Sequence, residues 1–475
     1  MSKKRTITID PVTRIEGHAK ITIQINEKGE VDDAHFHVTQ LRGFEKLTEG
    51  RPFREMPSLM ARICGICPVS HLITSAKACD ELMAVRIPPS AVKLRKILNL
   101  AQIVQSHALS FFYLSSPDLL LGMDSDPATR NIFGVMQAEP ELARGGVRLR
   151  QFGQQAIELL GGKRIHPSWV IPGGVSAPLD AAKRDEIIGM IPRAKEIARR
   201  TLDWFKPSIE KFRDEITTFA NFPTMYLGLV SPDNTLEFYD GILRMIAPDG
   251  SIVEPAINQN RYFDSIGEAV EDWSYLKSPY YKPMGYPDGI YRVGPLARLN
   301  IVERAGTPLA DVELAEFKAM SWEERQSSFH FHYARLIEIL YGIEKIEELL
   351  NEPDILNERV DAYGAANASE GVGIAEAPRG TLIHHYKIDQ DGLIQWANLI
   401  IATGNNNLAM DRGVREVAKH YVKGAVVQEG MLNRVEAVIR TFDPCLSCST
   451  HAVGQMPLQI QLLSPEGEVI DEVRR

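Results

Sequence analysis

Cysteine is scarce in this sequence, with five residues in a chain of 475. An odd number at so low a density argues against a disulfide framework and fits a reducing compartment. Long apolar runs are also missing, because the sequence has no stretch of about 18 apolar residues that could form a membrane span. Residues 1–5 are basic, but they lead into an alternating pattern rather than the apolar core of a signal peptide. We therefore expect a cytoplasmic protein without a transmembrane segment.

An excess of positive charge is absent too. Lys and Arg total 53 against 62 Asp and Glu, which gives a formal net charge of -9. A chain with this balance has no basic field to attract nucleic acid or an anionic membrane. Hydrophobic residues make up 44% of the chain, and no internal repeat or long low-complexity run interrupts it. The sequence therefore predicts a globular protein with an extensive core that does not bind nucleic acid.

Four of the five cysteines form two C-x-x-C pairs near opposite ends of the chain. Cys64 and Cys67 make the first pair and Cys445 and Cys448 the second, with 377 residues between Cys67 and Cys445. A joint role for the pairs requires the fold to bring the two ends of the chain together. The fifth cysteine, Cys79, lies in a helical pattern and is expected to be a small buried residue.

Each pair is predicted to open a helix. Pro68 and Pro444 suit the first helical position, and Asp443 suits an N-cap. A helix N-terminus favours negative charge, so cysteines there become thiolates more readily. Four thiolates in one place would repel one another, so a soft transition metal or metal cluster is their natural occupant. A structural zinc site, a dithiol redox pair and unrelated roles are the alternatives, although zinc ribbons usually close their pairs within about 15–20 residues.

The apolar patterns predict an α+β fold with a helix-rich core. Alternation with period two predicts a small antiparallel sheet in a β-rich segment over residues 1–45. Helical periodicity dominates a core over residues 46–376, including a long helix over 91–114 that ends at Ser115-Ser116-Pro117. A β-hairpin over 381–403, helices over 405–451 and a second hairpin pattern within 452–475 follow.

Four further polar residues stand out in this pattern. Glu16 lies in the turn between the first two strands and Glu45 follows the third strand, in charged loops of a kind that is usually solvated. His71 follows Cys67 by one helical turn, where an imidazole could hydrogen-bond a metal-bound sulfur. Asp118 lies just past the end of the long helix, where a helix cap is its simplest role.

Five separated blocks together resemble the large subunit of nickel-iron hydrogenases, in that family's order, from near the N-terminus to His451. The amino-acid sequence around both cysteine pairs is most similar to the cytoplasmic, cofactor-coupled branch of the family, especially its bidirectional NAD-linked members. The resemblance implies the large-subunit fold over residues 1–451. The blocks are Arg-Ile-Glu-Gly-His at 14–18, Arg-Gly-x-Glu at 42–45, Arg-x-Cys-Gly-x-Cys-x-x-x-His at 62–71, Ala-Pro-Arg-Gly at 377–380 and Asp-Pro-Cys-x-x-Cys-x-x-His at 443–451.

The resemblance implies that the four paired cysteines hold a nickel-iron centre. By position, Cys64 and Cys445 would be terminal nickel ligands. Cys67 and Cys448 would bridge nickel to an iron that carries carbon monoxide and cyanide.

The resemblance also implies a magnesium ion beside this centre. Glu45 and His451 match its side-chain ligands, and the backbone carbonyl of Leu399 would be a third ligand. Pro378 and Thr403 would line the diatomic ligands of the iron.

The activity implied by the resemblance is the reversible heterolytic cleavage of dihydrogen. In this interpretation the thiolate of Cys445 is the base that accepts the proton, and Glu16 relays the proton toward solvent. Arg379, Asp118 and Asp443 would form an outer shell over the metals, where Arg379 supplies fixed positive charge.

The electrons need an exit that this chain does not provide. After four cysteines bind the metals only Cys79 remains, which cannot hold a four-cysteine iron-sulfur cluster, and the sequence has no strand-linked Gly-x-Gly-x-x-Gly fingerprint. A cluster-bearing small subunit is therefore required. The resemblance adds diaphorase subunits with FMN and NAD, and a maturation endopeptidase that removes the extension 452–475 by cutting at His451-Ala452.

Two other functions compete with this one. A scaffold protein related to the quinone-site subunit of respiratory complex I would share the fold but lack the cysteine pairs. A zinc-stabilised structural protein would keep the pairs and bind zinc alone.

Overall fold

The N-terminal sheet positions the Glu16 loop. The computed structural model describes residues 5–423, 427–451, 459–464 and 469–474. Strands β1 (Arg5–Ile9), β2 (Ala19–Ile25) and β3 (Val31–Val38) form an antiparallel sheet in the order β1-β2-β3. Alternate residues of β2, such as Ile21 and Ile23, are fully buried, so one face of the sheet packs on the core. The predicted small antiparallel sheet is confirmed.

Thirteen helices occupy the described chain between this sheet and residue 350. The longest pack against one another, with α4 between α7 and α13 and with α8 against α13. The helices are α1 (Phe44–Leu47), α2 (Met56–Met60), α3 (Pro68–Met83), α4 (Pro89–Leu109), α5 (Ser116–Leu121), α6 (Ile132–Ala138), α7 (Pro140–Gly161), α8 (Ala181–Ser208), α9 (Arg213–Thr218), α10 (Pro295–Ile301), α11 (Pro308–Ala319), α12 (Trp322–Arg325) and α13 (Phe331–Leu350).

The long helix predicted over 91–114 continues beyond its expected end. A π-helical turn over Ser110–Ser115 joins α4 to α5, which carries Pro117 in its first turn. Proline is tolerated there because the first helical N–H groups have no intrahelical acceptor. The chain therefore stays helical through Ser115-Ser116-Pro117.

A mixed sheet interrupts the region that the apolar pattern predicts to be helical. Its order is β11-β6-β7-β8, with β11 parallel to β6 and the other pairs antiparallel. All six residues of β6 are buried, so its sequence shows no alternation and cannot be told from a buried helix by periodicity. The prediction of a helical core over 46–376 is wrong for this part of the chain. The strands of this region are β4 (Val170–Ile171), β5 (Gly174–Val175), β6 (Met225–Val230), β7 (Ile242–Ile246), β8 (Ile252–Ile257), β9 (Ile266–Ala269), β10 (Ser278–Tyr281) and β11 (Tyr291–Arg292).

A third sheet carries the Ala-Pro-Arg-Gly block. The predicted hairpin over 381–403 is present as β13 (Gly380–Ile388) and β14 (Ile394–Ile400), but a third strand, β12 (Glu370–Ala377), pairs with β13. Ala377 and Gly380 face each other in the register, so Pro378 and Arg379 form the tight turn between β12 and β13. Because β12 packs along α3, this turn is carried to the N-terminal end of the helix that follows Cys67.

Glycines on β12 allow the sheet to approach α3 closely. A Cβ atom at Gly373 would collide with the backbone carbonyl of Thr74 in α3. We expect Gly373→Ala to lower the free energy of unfolding by about 1–3 kcal/mol, since a backbone group has no rotamer to relieve the overlap. Gly189 is the matched control: it is exposed within α8 and has open space around it, so Gly189→Ala should stabilise the protein by up to about 1 kcal/mol. Urea unfolding midpoints of the two variants should move in opposite directions, and a neutral Gly373→Ala would refute the close contact.

The C-terminal part of the described chain delivers the second cysteine pair. Four helices follow β14, and β15 and β16 form the antiparallel hairpin predicted for the tail. Among the residues described, every helix is too short or too polar to span a lipid bilayer. The elements are α14 (Ala402–Asn405), α15 (Asn407–Tyr421), α16 (Glu429–Phe442), α17 (Leu446–Ser449), β15 (Gln459–Leu463) and β16 (Val469–Arg474).

Candidate metal centre

The two cysteine pairs meet in the interior of the protein. The sulfur of Cys64 lies 3.3 Å from that of Cys445, and the sulfur of Cys67 lies 3.5 Å from that of Cys448. Cys445 and Cys448 are 2.8 Å apart, and all four sulfur atoms lie within 4.8 Å of one another. The four residues are buried free thiols. The requirement that opposite ends of the chain converge is therefore met.

The first pair precedes a helix as predicted, whereas the second pair is arranged differently. Cys67 is the N-cap of α3, and Pro68 occupies the first helical position. Asp443 is not an N-cap: it ends α16 in a left-handed conformation with φ of 52°. Helix α17 begins after Cys445, so Pro444 lies outside it. The tight reversal at Asp443 aims its own side chain and the next cysteine into the same site.

The four sulfurs cannot all be thiolates in so small a space unless a cation neutralises their negative charge. Burial raises the pKa of the Cys445 and Cys448 thiols, whereas hydrogen bonds from the other three thiols lower the pKa of Cys67. A divalent soft metal removes this conflict because it binds thiolates directly. Cys79 lies outside the cluster, with its Sγ donating to the carbonyl of Phe53 at 3.2 Å, as expected for a packing residue.

His71 lies beside the sulfurs, and hydrogen bonds on its other side fix the orientation of its ring. A hydrogen bond from His71 helps to lower the pKa of Cys67. Its Nδ1 lies 3.2 Å from Nε2 of His384, whose Nδ1 is 2.6 Å from the hydroxyl of Tyr386. The sequence does not single out His384 and Tyr386, because buried polar residues within a strand give no periodic signal. The chain of hydrogen bonds holds the His71 ring in one orientation.

Arg379 supplies the positive charge nearest to the cluster. Its Nε donates to the carbonyl of Asp443 at 2.6 Å, and its Nη2 lies 3.0 Å from the Asp443 carboxylate. Burial opposes the charged guanidinium, but Asp443 and the sulfurs of Cys445, Cys67 and Cys64 raise the pKa of Arg379 above its ordinary value. Arg379 is therefore a permanent cation in this buried site.

Asp118 is held by arginines other than Arg379. Its carboxylate accepts hydrogen bonds from Arg14 at 2.5 Å and from Arg440 at 3.0 Å. The default interpretation of Asp118 as a helix cap is wrong, because Ser115 is the N-cap of α5 and the Asp118 carboxylate pairs with these distant side chains. The place of Asp118 in the outer shell over the metals stays a prediction.

Ser106 occupies a place next to Arg379 that the sequence does not indicate. It lies one turn before the end of α4, and its hydroxyl accepts from Nη1 of Arg379 at 3.2 Å. A serine within an apolar helix gives no signal of such a role. The Arg379 guanidinium is thus held by Ser106 on one side and by Asp443 on the other.

Glu16 is held against the second cysteine pair. Its carbonyl accepts from the N–H of Leu446 at 3.1 Å, and its Oε2 accepts from the N–H of Ser447 at 3.1 Å. Gly17 has φ of +91°, and a Cβ there would lie 2.7 Å from Cβ of Leu446, so only glycine allows this approach. Glu16 is half-buried between the sulfurs and the surface. It is therefore not the solvated loop residue of the default interpretation.

Thr403 contacts the second cysteine pair, and Pro378 directly precedes Arg379 in the turn between β12 and β13. The N–H of Cys445 donates to Oγ1 of Thr403 at 2.9 Å, which ties α14 to the second pair. Pro378 is buried, and its carbonyl accepts from Nη2 of Arg298 at 3.2 Å. Both residues are thus held by contacts that the sequence did not indicate.

Glu45, Leu399 and His451 gather at the edge of the sulfur cluster. Glu45 Oε1 accepts from the N–H of Leu399 at 2.9 Å and lies 3.2 Å from Nζ of Lys277. This contact uses the amide nitrogen of Leu399, and the role of its carbonyl as a metal ligand stays a prediction. His451 is buried, both of its ring nitrogens lack a partner among the described residues, and burial lowers its pKa to about 3. A neutral buried imidazole whose nitrogens are unpartnered is able to bind a divalent cation.

Comparison with known proteins identifies the chain's family. Residues 6–41 match the family described as HoxL-like, and residues 42–128 and 246–451 match the family described as Nickel-dependent hydrogenase. The matched segments include both cysteine pairs, the Glu16 loop and the turn with Arg379. Residues 129–245 lie outside both matches.

Relatives match over nearly the whole chain. The chain is 42% identical to the beta subunit of the NAD-reducing hydrogenase HoxS of Cupriavidus necator, over 99% of this chain and 100% of that protein. It is 39% identical to one component of the F420-non-reducing hydrogenase of Methanothermobacter thermautotrophicus, over 98% of this chain and 99% of that one.

Solved structures give the same result. The crystal structure of an NAD+-reducing [NiFe]-hydrogenase in the H2-reduced state matches with a TM-score of 0.92 and 42% identity, covering 95% of this chain and 100% of the other. The Ni-Fe-Se hydrogenase of D. vulgaris Hildenborough matches with a TM-score of 0.76 and 26% identity, covering 94% and 100%. Neither the zinc-stabilised structural protein nor the cysteine-free scaffold accounts for these matches and the four sulfurs together. The chain belongs to the nickel-dependent hydrogenase family.

Proposed function

We propose that this chain is the catalytic subunit of a nickel-iron hydrogenase that converts dihydrogen reversibly into two protons and two electrons. The observation that carries the proposal is the convergence of four buried free thiols from opposite ends of the chain. The pairing of Cys64 with Cys445 and of Cys67 with Cys448 agrees with terminal nickel ligands in the first case and bridging ligands in the second.

The metal pair and the residues around it have separate roles in the reaction. When bound, the metal pair supplies the Lewis acidity that polarises dihydrogen. The sulfur of Cys445 would accept the proton, and the backbone of Glu16 pairs with that of Cys445 while its carboxylate accepts from the N–H of Ser447. Arg379 provides a fixed positive charge that needs no reorganisation during the reaction. Glu16, half-exposed, passes the proton toward solvent.

Carbon monoxide and cyanide on the iron are part of the proposal. Pro378 and Thr403 are the residues that would line them, because Pro378 stands next to Arg379 in the turn and Thr403 contacts the backbone of Cys445. The Thr403 hydroxyl oxygen accepts from the Cys445 N–H, so its own hydrogen is free to be donated to an anionic ligand.

A magnesium ion would complete the site at its inner edge. Glu45 and His451 would hold it with oxygen and nitrogen donors, and Leu399 lies against Glu45 on the third sheet. Lys277 borders this position, with its Nζ 3.2 Å from the Glu45 carboxylate and 3.1 Å from that of Glu268. Magnesium is expected because carboxylate donors and water suit this hard cation, whereas the four sulfurs suit a soft one.

The electrons leave through partner subunits. The Cys64–Cys67 loop reaches the surface at Gly65, which is exposed and has open space around it. An iron-sulfur small subunit that covers this loop would receive the electrons closest to their source. The similarity to a NAD-reducing hydrogenase supports NAD or NADP as the final acceptor. Diaphorase subunits with FMN and a cytoplasmic location complete the proposal.

Residues 452–475 are proposed to be an extension that an endopeptidase removes after His451. These 24 residues begin directly after residue 451, where the match to the Nickel-dependent hydrogenase family ends. Ala452, on the far side of the proposed cut, lies outside the described residues. His451 is buried at the metal site, so the cut is expected to follow metal insertion.

The test of this function is hydrogen-dependent dye reduction by the purified complex together with metal analysis. We expect nickel and magnesium, with iron in excess of nickel because the clusters of the small subunit add to the iron of the active site, and reduction of both a viologen dye and NAD with dihydrogen. Zinc alone with no dye reduction would refute the hydrogenase. Dye reduction without NAD reduction in the complete complex would refute only the proposed acceptor.

A further inference from the structure

A cluster of fully buried charges stands behind the turn that carries Arg379. Arg298, on α10, forms a two-bond pair with Glu338, with Nε and Nη2 each 2.7 Å from a carboxylate oxygen. Its Nη1 lies 2.6 Å from Oε2 of Glu376. The three side chains have 0% exposure. The Arg298 guanidinium therefore lies between two carboxylates inside the core.

Arg298 also contacts the backbone of the turn itself. Nη1 donates to the carbonyl of Ala377 at 3.1 Å, and Nη2 donates to the carbonyl of Pro378 at 3.2 Å. These are the two carbonyls immediately before Arg379. The carboxylate of Glu376 is fixed in turn, because Oε1 accepts from the hydroxyl of Thr381 at 2.8 Å. Arg298 thus joins both strands that flank the turn.

The segment just before Arg298 packs closely against the same turn. Gly294 has φ of +95°, and a Cβ there would lie 2.7 Å from the carbonyl oxygen of Arg379. Gly380 has φ of +135°, and a Cβ there would collide with the side chain of Val293. Residues 293–298 therefore hold the turn in two ways: Gly294 and Val293 pack closely against it, and the Arg298 guanidinium donates hydrogen bonds to it.

A contribution to folding stability does not by itself explain why these charged side chains are buried. Moving charges out of water is costly, and well-packed apolar residues of similar size often stabilise a core as well as a buried ion pair does. A rigid guanidinium fork instead fixes several acceptors in one geometry, which a flexible ammonium cannot do. We propose that Arg298 is the positioning residue that holds the Pro378–Arg379 turn over the sulfur cluster, an inference that rests on the proposed roles of Pro378 and Arg379 at the metal site.

The test is Arg298→Lys in the complete complex, because lysine keeps the charge but cannot reach two carboxylates and two carbonyls. We expect hydrogen oxidation to fall by about 100-fold, the cost of a small displacement of an active-site group. Nickel content should stay unchanged. The infrared bands of the cyanide and carbon monoxide ligands should shift, because Pro378 would move relative to them. A merely structural role would leave those bands in place.

Arg95→Lys is the matched control. Arg95 is also fully buried, pairs with Asp80 of α3 at 2.6 Å and donates to the carbonyls of Gly174 and Ile171, but these lie on β5 and β4 and not on the Pro378–Arg379 turn. We expect Arg95→Lys to lower the thermal unfolding temperature without shifting the infrared bands. Equal band positions in Arg298→Lys, Arg95→Lys and the unaltered protein would overturn the proposal.

Two further variants keep the outcomes distinct. If Arg298→Lys does not yield a folded nickel protein, Glu376→Gln removes one arm of the cluster and is expected to shift the same bands, with unshifted bands again counting against the proposal. Arg379→Gln tests the underlying assignment because it removes the positive charge: full activity there would refute the role of Arg379. An inactive Arg379→Gln with a fully active, spectroscopically unchanged Arg298→Lys would refute the positioning role alone.

Discussion

Replacing Cys445 with serine should leave the protein without its nickel and lower hydrogen-dependent dye reduction by more than about 1,000-fold. Cys445 is the residue on which the proposed roles converge, as a nickel ligand and as the proton-accepting base. Loss of a member of a catalytic unit usually removes most of the rate enhancement of the whole unit. Its sulfur lies 3.3 Å from Cys64 and 2.8 Å from Cys448, so its removal opens one side of the site.

The fifth cysteine is the matched control for this variant. Cys79 is as buried as the others, but its thiol only donates to the carbonyl of Phe53. A serine hydroxyl can make the same bond, so Cys79→Ser should keep nickel, iron and activity. Metal analysis of the two purified complexes checks the prediction. Nickel at the normal level in Cys445→Ser would contradict the four-sulfur site, and loss of nickel in Cys79→Ser would show that the cluster has been misplaced.

Glu16→Gln should lower the rate of exchange between deuterium gas and solvent protons by about 100- to 10,000-fold, the range typical of a lost acid-base group. Glutamine keeps the size of the side chain and an oxygen that can accept from the N–H of Ser447. It cannot carry a proton between Cys445 and solvent. Nickel content and the infrared bands of the site should therefore remain close to those of the unaltered protein.

Asp10 provides a control carboxylate before the same loop. It is exposed and lies outside the contact between Glu16 and α17, so Asp10→Asn should exchange deuterium at the normal rate. Mass-spectrometric exchange assays on the two variants, at equal nickel content, measure the difference. Normal exchange in Glu16→Gln would remove Glu16 from the proton route while leaving the metal site intact.

The sulfur cluster could be predicted from the sequence because cysteine is rare in this chain and occurs in two pairs. The Arg379 turn and the Glu16 loop were found through the hydrogenase resemblance, and the structure places both against the second cysteine pair. Ser106 and Lys277 could not be found in the same way. A serine in a core helix and a lysine in a connecting segment have no distinctive pattern until distant elements fold onto them.

The differences between prediction and structure have physical causes of the same kind. The position of Asp118 after a helix suggests a cap, but two arginines from distant segments, Arg14 and Arg440, bind its carboxylate. Strand β6 escapes prediction because both of its faces are buried, which removes the alternation that identifies a strand. Local pattern thus identified the paired cysteines, whereas tertiary contacts decided which ordinary polar residues support them.

X-ray absorption at the nickel edge of the intact, active complex tests the central claim most directly. Four sulfurs contributed by Cys64, Cys67, Cys445 and Cys448 should appear as the nearest neighbours of a single nickel, with an iron atom just beyond them. A nickel surrounded only by nitrogen and oxygen, or a complex that cleaves dihydrogen without nickel, would contradict the account.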